Sequence, residues 1–105
     1  MSYDVRLLEE EEEDLARLDN EVLKEVFAYF EKYETDPYRY SQKLSDRFGL
    51  DLKDYRKTYL FNAAYRIVIK IEERNVKVVE VIAVGERDGM SVYKTAYKRI
   101  SRSDV

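Results

Sequence analysis

The sequence predicts an α+β domain in the order β-α-α-β-β-β-α. A helical hairpin packs on one face of a mainly antiparallel four-stranded sheet, and a C-terminal helix closes the end. Three observations predict this. Residues 3 to 7 and 65 to 72 alternate along the chain with a period of two, which is the pattern of a strand. Residues 15 to 33 repeat apolar positions at three and four, which is the pattern of a helix. Val92, Ala96 and Ile100 stand four apart near the C-terminal end.

With 105 residues and 45% hydrophobic content, the chain is expected to form one domain over residues 1–105, because a second core of useful size does not fit. Although 39% of residues are charged, only three Gly and one Pro occur, and Tyr, Val, Ile and Leu are abundant. That composition is too apolar and too regular for disorder. Cysteine is absent, which excludes a disulfide framework or a thiol site and fits a reducing cytoplasm. No apolar stretch reaches the length of a membrane span, and the N-terminus lacks the basic-then-apolar order of a secretory signal. A cytoplasmic protein without a membrane partner is therefore expected.

The elements follow in order. Tyr3, Val5 and Leu7 alternate with Asp4 and Arg6 to make a short first strand. Residues 9 to 14 are six consecutive acids followed by Leu15 and Leu18 at helical spacing. They read as a first helix with anions near its positive end and a solvated acidic face. Asp19 or Asn20 supplies an N-cap for a second helix, in which Val22, Val26, Phe27, Phe30 and Tyr33 form the apolar stripe. It ends before Asp36-Pro37, because the residue before proline is biased away from helical dihedrals. Residues 37 to 52 show no sustained period and read as a connecting loop. Residues 55 to 61 and 65 to 72 form a hairpin about a turn at 61 to 64. In its second strand the isoleucines at 67, 69 and 71 face the helices, so Arg66 faces the other way. After a turn at 73 to 75, residues 76 to 84 are apolar on both faces, as a central strand requires. Residues 90 to 102 make the last helix, with Lys94, Lys98, Arg99 and Arg102 around its rim.

Charge is divided unevenly along this order. The net charge is −3, yet residues 1 to 52 carry 15 acidic and 7 basic side chains and residues 53 to 105 carry 7 acidic and 12 basic. Affinity for a polyanion follows local density of lysine and arginine as well as the total, so the second half can present a phosphate-binding face. Alternatively, the asymmetry reflects one acidic helix.

Histidine is absent as well as cysteine, which removes imidazole general bases, thiol nucleophiles and the common zinc sites. There is no glycine-rich phosphate loop. What remains on the sheet face away from the isoleucines is Lys57 and Tyr59 on one strand, Arg66 on the next, and Arg87 and Tyr93 after the last strand. This set suits a phosphodiester: arginine's fixed fork of donors holds two phosphate oxygens, and tyrosine stacks on a base or moves a proton. Taken alone, the same residues read more simply as the ordinary polar side of a sheet, with the tyrosines packed.

Two segments add a resemblance that spans residues 3 to 100. Leu52-Lys53-Asp54-Tyr55-Arg56-Lys57 followed by Tyr65-Arg66-Ile67-Val68-Ile69 is similar to the second and third strands of the RelE/ParE toxin superfamily. Gly85-Glu86-Arg87, with Tyr93 six residues after the arginine and then Ala96-Tyr97-Lys98-Arg99-Ile100, resembles the ending of its RelE branch. The resemblance implies a RelE-like fold and the toxin of a type II toxin–antitoxin system. The activity implied is ribosome-dependent cleavage of mRNA, with attack by the ribose 2′-hydroxyl on the adjacent phosphate. The implied partners are a cognate antitoxin and mRNA on the ribosome, with no metal and no small-molecule cofactor. By position, Lys57 accepts or helps remove the 2′-proton, Arg66 and Arg87 hold the phosphate, and Tyr93 stacks on the base or assists the leaving oxygen. Arg56, Tyr59, Lys94 and Lys98 are the further RNA-binding candidates. A lysine of ordinary pKa, about 10.4, is mostly protonated at neutral pH, so neighbouring arginines lower it or it acts electrostatically. The chain departs from the RelE pattern at Tyr59, where a second basic residue is usual, and in its acidic total charge. A ParE-like inhibitor of DNA gyrase, or a catalytically silent binding domain of the same fold, are the competing readings. Arg87 and Tyr93 favour the nuclease.

Overall fold

The computed structural model describes residues 3–7, 9–43, 55–60, 64–73, 77–86 and 98–99. Its order is β1 (Asp4–Arg6), α1 (Glu9–Ala16), α2 (Asn20–Thr35), β2 (Gln42–Lys43), β3 (Tyr55–Leu60), β4 (Tyr65–Glu72) and β5 (Val78–Glu86). The strands form one sheet in the order β1-β5-β4-β3-β2. Every neighbouring pair is antiparallel except β1 with β5, so the sheet is mixed with a parallel edge. The predicted C-terminal helix lies outside the described residues apart from Lys98 and Arg99, which are helical.

The sheet has five strands where four were expected. The additional strand, β2, falls within the stretch read as a loop and pairs Gln42 with Lys57 and Lys43 with Arg56. Two exposed residues carry no readable period. Arg56 of β3 reaches back to Ser41 instead and holds the segment against the sheet, donating from Nε to Ser41 Oγ at 2.7 Å and from Nη2 to the Ser41 carbonyl at 2.9 Å.

Val22, Val26, Phe30 and Tyr33 of α2 pack on Leu60, Ile67, Ile69, Ile71, Val79, Val81 and Val84. Each buried aliphatic side chain contributes on the order of 1.5–3 kcal/mol. Phe27, predicted to share this stripe, is half-exposed and instead meets Phe30 edge to face at 5.8 Å. In a helix, residue 27 is rotated about 100° from residue 26, so Val26 takes the centre of the contact. The helix begins at the expected place, after Asp19 in extended backbone, but without a side-chain capping bond.

A bulge sets the phase of β5. Val68 pairs with Ala83 but Ile69 pairs with Val81, so Ile82 is the extra residue. Val79 and Val81 face the helices before the bulge, and Val84 does after it. Strict alternation from Val81 would have put Ala83 there. Val68, Ile82 and Ala83 are buried too, which gives this part of the sheet two covered faces, as its sequence suggests.

The acidic helix holds the other departure from expectation. Glu12 and Glu13 are exposed, but Glu11 and Asp14 are buried. The Asp14 carboxylate accepts from both terminal nitrogens of Arg99, at 2.8 and 3.1 Å, and from the Val84 N–H at 3.1 Å. Arg99 Nη1 also donates to the Ile82 carbonyl at 2.7 Å and lies 3.9 Å from Glu11 Oε1. The cause is the length of β1, which covers β5 only as far as Glu80. Beyond that point no strand among the described residues flanks β5 on that side, and an unpaired buried backbone group is costly. Asp14 and Arg99 satisfy one N–H and one C=O. The acidic run is therefore only partly a solvated face, and Arg99 is an anchor where a rim position was expected.

Candidate functional site on the sheet face away from the helices

Alternation along β3 separates structural from candidate functional groups. Thr58 and Leu60 face α2: the buried Tyr33 hydroxyl donates to Thr58 Oγ1, which donates in turn to the Tyr40 carbonyl at 2.8 Å. Burial pushes the Tyr33 phenol further above its ordinary range, against a lowering contribution from the Thr58 bond. That hydroxyl stays protonated and serves the core. Lys57 and Tyr59 consequently project to the opposite face.

On β4 the isoleucines lie in the core, which sends Arg66, Val68 and Lys70 to the same side as Lys57 and Tyr59. The register places Tyr59 directly opposite Arg66, Lys57 opposite Val68 and Tyr55 opposite Lys70. On its other flank Arg66 faces Gly85 of β5. Gly85 places no side chain against Arg66 from that strand. Arg66 is 7% exposed, and its Cζ lies 4.5 Å from the Tyr59 ring centroid. Lys57 Nζ is 5.2 Å from the centroid of that same ring. Three of the residues singled out in the sequence thus meet in one cross-strand cluster. An arginine and a lysine beside an aromatic ring can hold an anion next to a planar base.

At the other end of this face Lys70 Nζ lies 5.7 Å from the Tyr55 ring, but it also lies 3.9 Å from Glu72 and pairs across the strands with Glu80. Its charge is balanced locally. Arg56 does not join the cluster at all. It points to the helix side, where besides Ser41 it donates to the Tyr38 carbonyl at 3.4 Å and stacks over the Tyr38 ring at 5.2 Å. Arg87, Tyr93 and Lys94 lie outside the described residues, though Arg87 follows Gly85 by two positions. Lys98 is exposed and adjoins the anchored Arg99.

Sequence reading missed the Glu11, Asp14 and Arg99 anchor. A signal for it existed: residues 11, 14, 15 and 18 share one helical face, so two of the six acids sit beside Leu15 and Leu18, which pack on the core. Among the described residues no three His, Cys, Asp or Glu side chains are grouped to hold a metal ion, and no helix is long and apolar enough to cross a membrane.

Solved structures give this arrangement a class. A variant of Escherichia coli toxin RelE in the free state, with two arginines changed to alanine, superposes with a TM-score of 0.73 and 27% identity, covering 95% of this chain and 99% of that one. The isolated E. coli RelE toxin superposes with a TM-score of 0.68 and 26% identity, covering 94% and 99%. In the RelBE2 toxin–antitoxin complex of Mycobacterium tuberculosis the match has a TM-score of 0.69 and 22% identity over 83% of this chain and 100% of that one, and shows the shared fold. No family model and no curated protein sequence matches the chain. The fold is thus that of a small α+β toxin with a two-helix hairpin on a mixed sheet. Over nearly its whole length the chain is RelE-like and matches the toxins of type II toxin–antitoxin systems.

Proposed function

We propose that this chain is the toxin of a type II toxin–antitoxin system and acts as a ribosome-dependent mRNA endoribonuclease. The observation that carries the proposal is the placement of Arg66, buried between Tyr59 and Gly85 with Lys57 over the same ring. In the reaction the ribose 2′-oxygen bonds to the adjacent phosphorus and the bond to the 5′-oxygen breaks. The products are a cyclic phosphate and a 5′-hydroxyl. One proton leaves the 2′-hydroxyl and one reaches the departing 5′-oxygen. Arg66, with Arg87, holds the phosphate and the charge that develops on it. Donors fixed in advance at such a position are worth about 10²–10³ in rate each. Lys57 takes the proton or stabilises the attacking oxygen, Tyr93 stacks on the base or serves the leaving oxygen, and Lys94 and Lys98 contact the RNA backbone. The basic second half of the chain supports this direction for the polyanion.

A cognate antitoxin is the second proposed partner, in line with solved complexes of RelE with an antitoxin RelB peptide and of RelE with RelB. Action on translating ribosomes would place the protein in the cytoplasm. Induced expression followed by mapping of mRNA 5′ ends tests the reading, with Arg66→Ala, Arg87→Ala and Tyr93→Phe as controls. Codon-phased cuts that disappear in the variants are expected. Growth arrest with intact mRNA and blocked supercoiling would instead establish gyrase inhibition, and a lack of toxicity would leave a silent binding domain.

A further inference from the structure

We infer that Tyr59 is the positioning residue of this site, its ring fixing Lys57 and Arg66 relative to each other without adding a third charge. The inference rests on the ribonuclease reading above and deepens it. Tyr59 is the direct cross-strand partner of Arg66 and stands two residues after Lys57 on the same strand face. Arg66 Cζ and Lys57 Nζ approach its ring to 4.5 and 5.2 Å, both within the distance at which a ring face attracts a cation.

Two cations brought to one phosphate repel each other before the phosphate arrives. A neutral ring with a negative face attracts both, so it offsets that repulsion where a basic residue at position 59 would add to it. Long, rotamer-rich side chains also lose freedom when a ligand fixes them. Arg66, already 7% exposed on the ring, has lost that freedom in the folded protein, and the loss does not recur at the transition state.

A tyrosine that stacks on a base binds substrate and transition state alike, and its loss raises KM. A tyrosine that orients cations acts where charge develops, so its loss lowers kcat. Cleavage of mRNA on programmed ribosomes by wild type, Tyr59→Phe and Tyr59→Leu separates the two. Removing the ring with Tyr59→Leu is expected to lower kcat by roughly 2- to 30-fold, with KM moving less than about two-fold and Tyr59→Phe recovering most of the loss. Upfield ring-current shifts of the Arg66 δ-protons should be present in wild type and Tyr59→Phe and absent in Tyr59→Leu. A raised KM with unchanged kcat would overturn the inference in favour of base stacking. A lowered melting temperature with both constants unchanged would overturn it in favour of a purely structural ring. An active wild type with either result sinks Tyr59 alone, whereas a wild type that cuts no RNA removes the ribonuclease reading and this role together. Should Tyr59→Leu fail to fold, Tyr59→Met gives the same reading.

Discussion

Arg56 and Lys57 are adjacent cations on one strand, and the two faces of the sheet give them opposite work. Arg56 turns toward the helices and is consumed by the backbone and hydroxyl of Ser41 and the carbonyl of Tyr38. Lys57 turns to the face away from the helices and shares the Tyr59 ring with Arg66. Residue type does not separate them; the parity of their position does. The helix side of this protein uses Arg56 to hold the chain after α2, and the opposite face gathers Lys57 and Arg66 about one ring.

That contrast can be broken from either face. The largest effect is expected at the helix-side anchor. Asp14→Ala leaves the largely buried Arg99 without its bidentate partner, and breaking a buried pair costs about 3–5 kcal/mol. Denaturant unfolding reads that loss. A change within 1 kcal/mol would show that the anchor contributes little. Next comes the face away from the helices, where Arg66→Ala is expected to slow cleavage about 100-fold, near 2.7 kcal/mol of transition-state stabilisation, measured by single-turnover assay on folded protein. Arg56→Ala should do the converse. Losing its bonds to Ser41 and Tyr38 costs about 1–2 kcal/mol of stability, and cleavage per folded molecule stays within about two-fold.

The smallest effect lies at the first strand, where the Tyr3 hydroxyl donates to Glu73. The hydrogen bond, helped by burial and the nearby negative charge, raises the Tyr3 pKa from 10.0 to about 12. The neutral phenol is the bonded form, so its contribution is whole below pH 10 and is lost as pH rises toward 12. Phenolate absorbance should show one tyrosine titrating near 12 in wild type and nearer 10 in Glu73→Gln. Identical curves would remove the bond from the account.

Much of the fold was legible because two periods were strong. The isoleucines at 67, 69 and 71 announced β4 and its inward face, and Val22, Val26, Phe30 and Tyr33 announced α2. β2 was not legible, since two residues carry no period and the cause of its pairing is an arginine 13 positions away. The bulge at Ile82 was hidden for a related reason: a strand that is apolar on both faces shows no alternation to interrupt. In the candidate site, Lys57, Tyr59 and Arg66 could be brought together from parity and hairpin register alone. The same parity separates Arg56 from them, which its basic character had obscured. The burial of Glu11 and Asp14 depended on where β1 stops, which no local pattern encodes.

We propose that Arg66, set between Tyr59 and Gly85, holds the scissile phosphate. Purified wild type, Arg66→Ala and Arg56→Ala, each shown to be folded, can be compared for cleavage of a defined mRNA on programmed ribosomes. Cuts at codon-phased positions are expected from wild type and Arg56→Ala, and about 100-fold slower cutting from Arg66→Ala. Equal cutting by all three, or loss of cutting in Arg56→Ala alone, would contradict it.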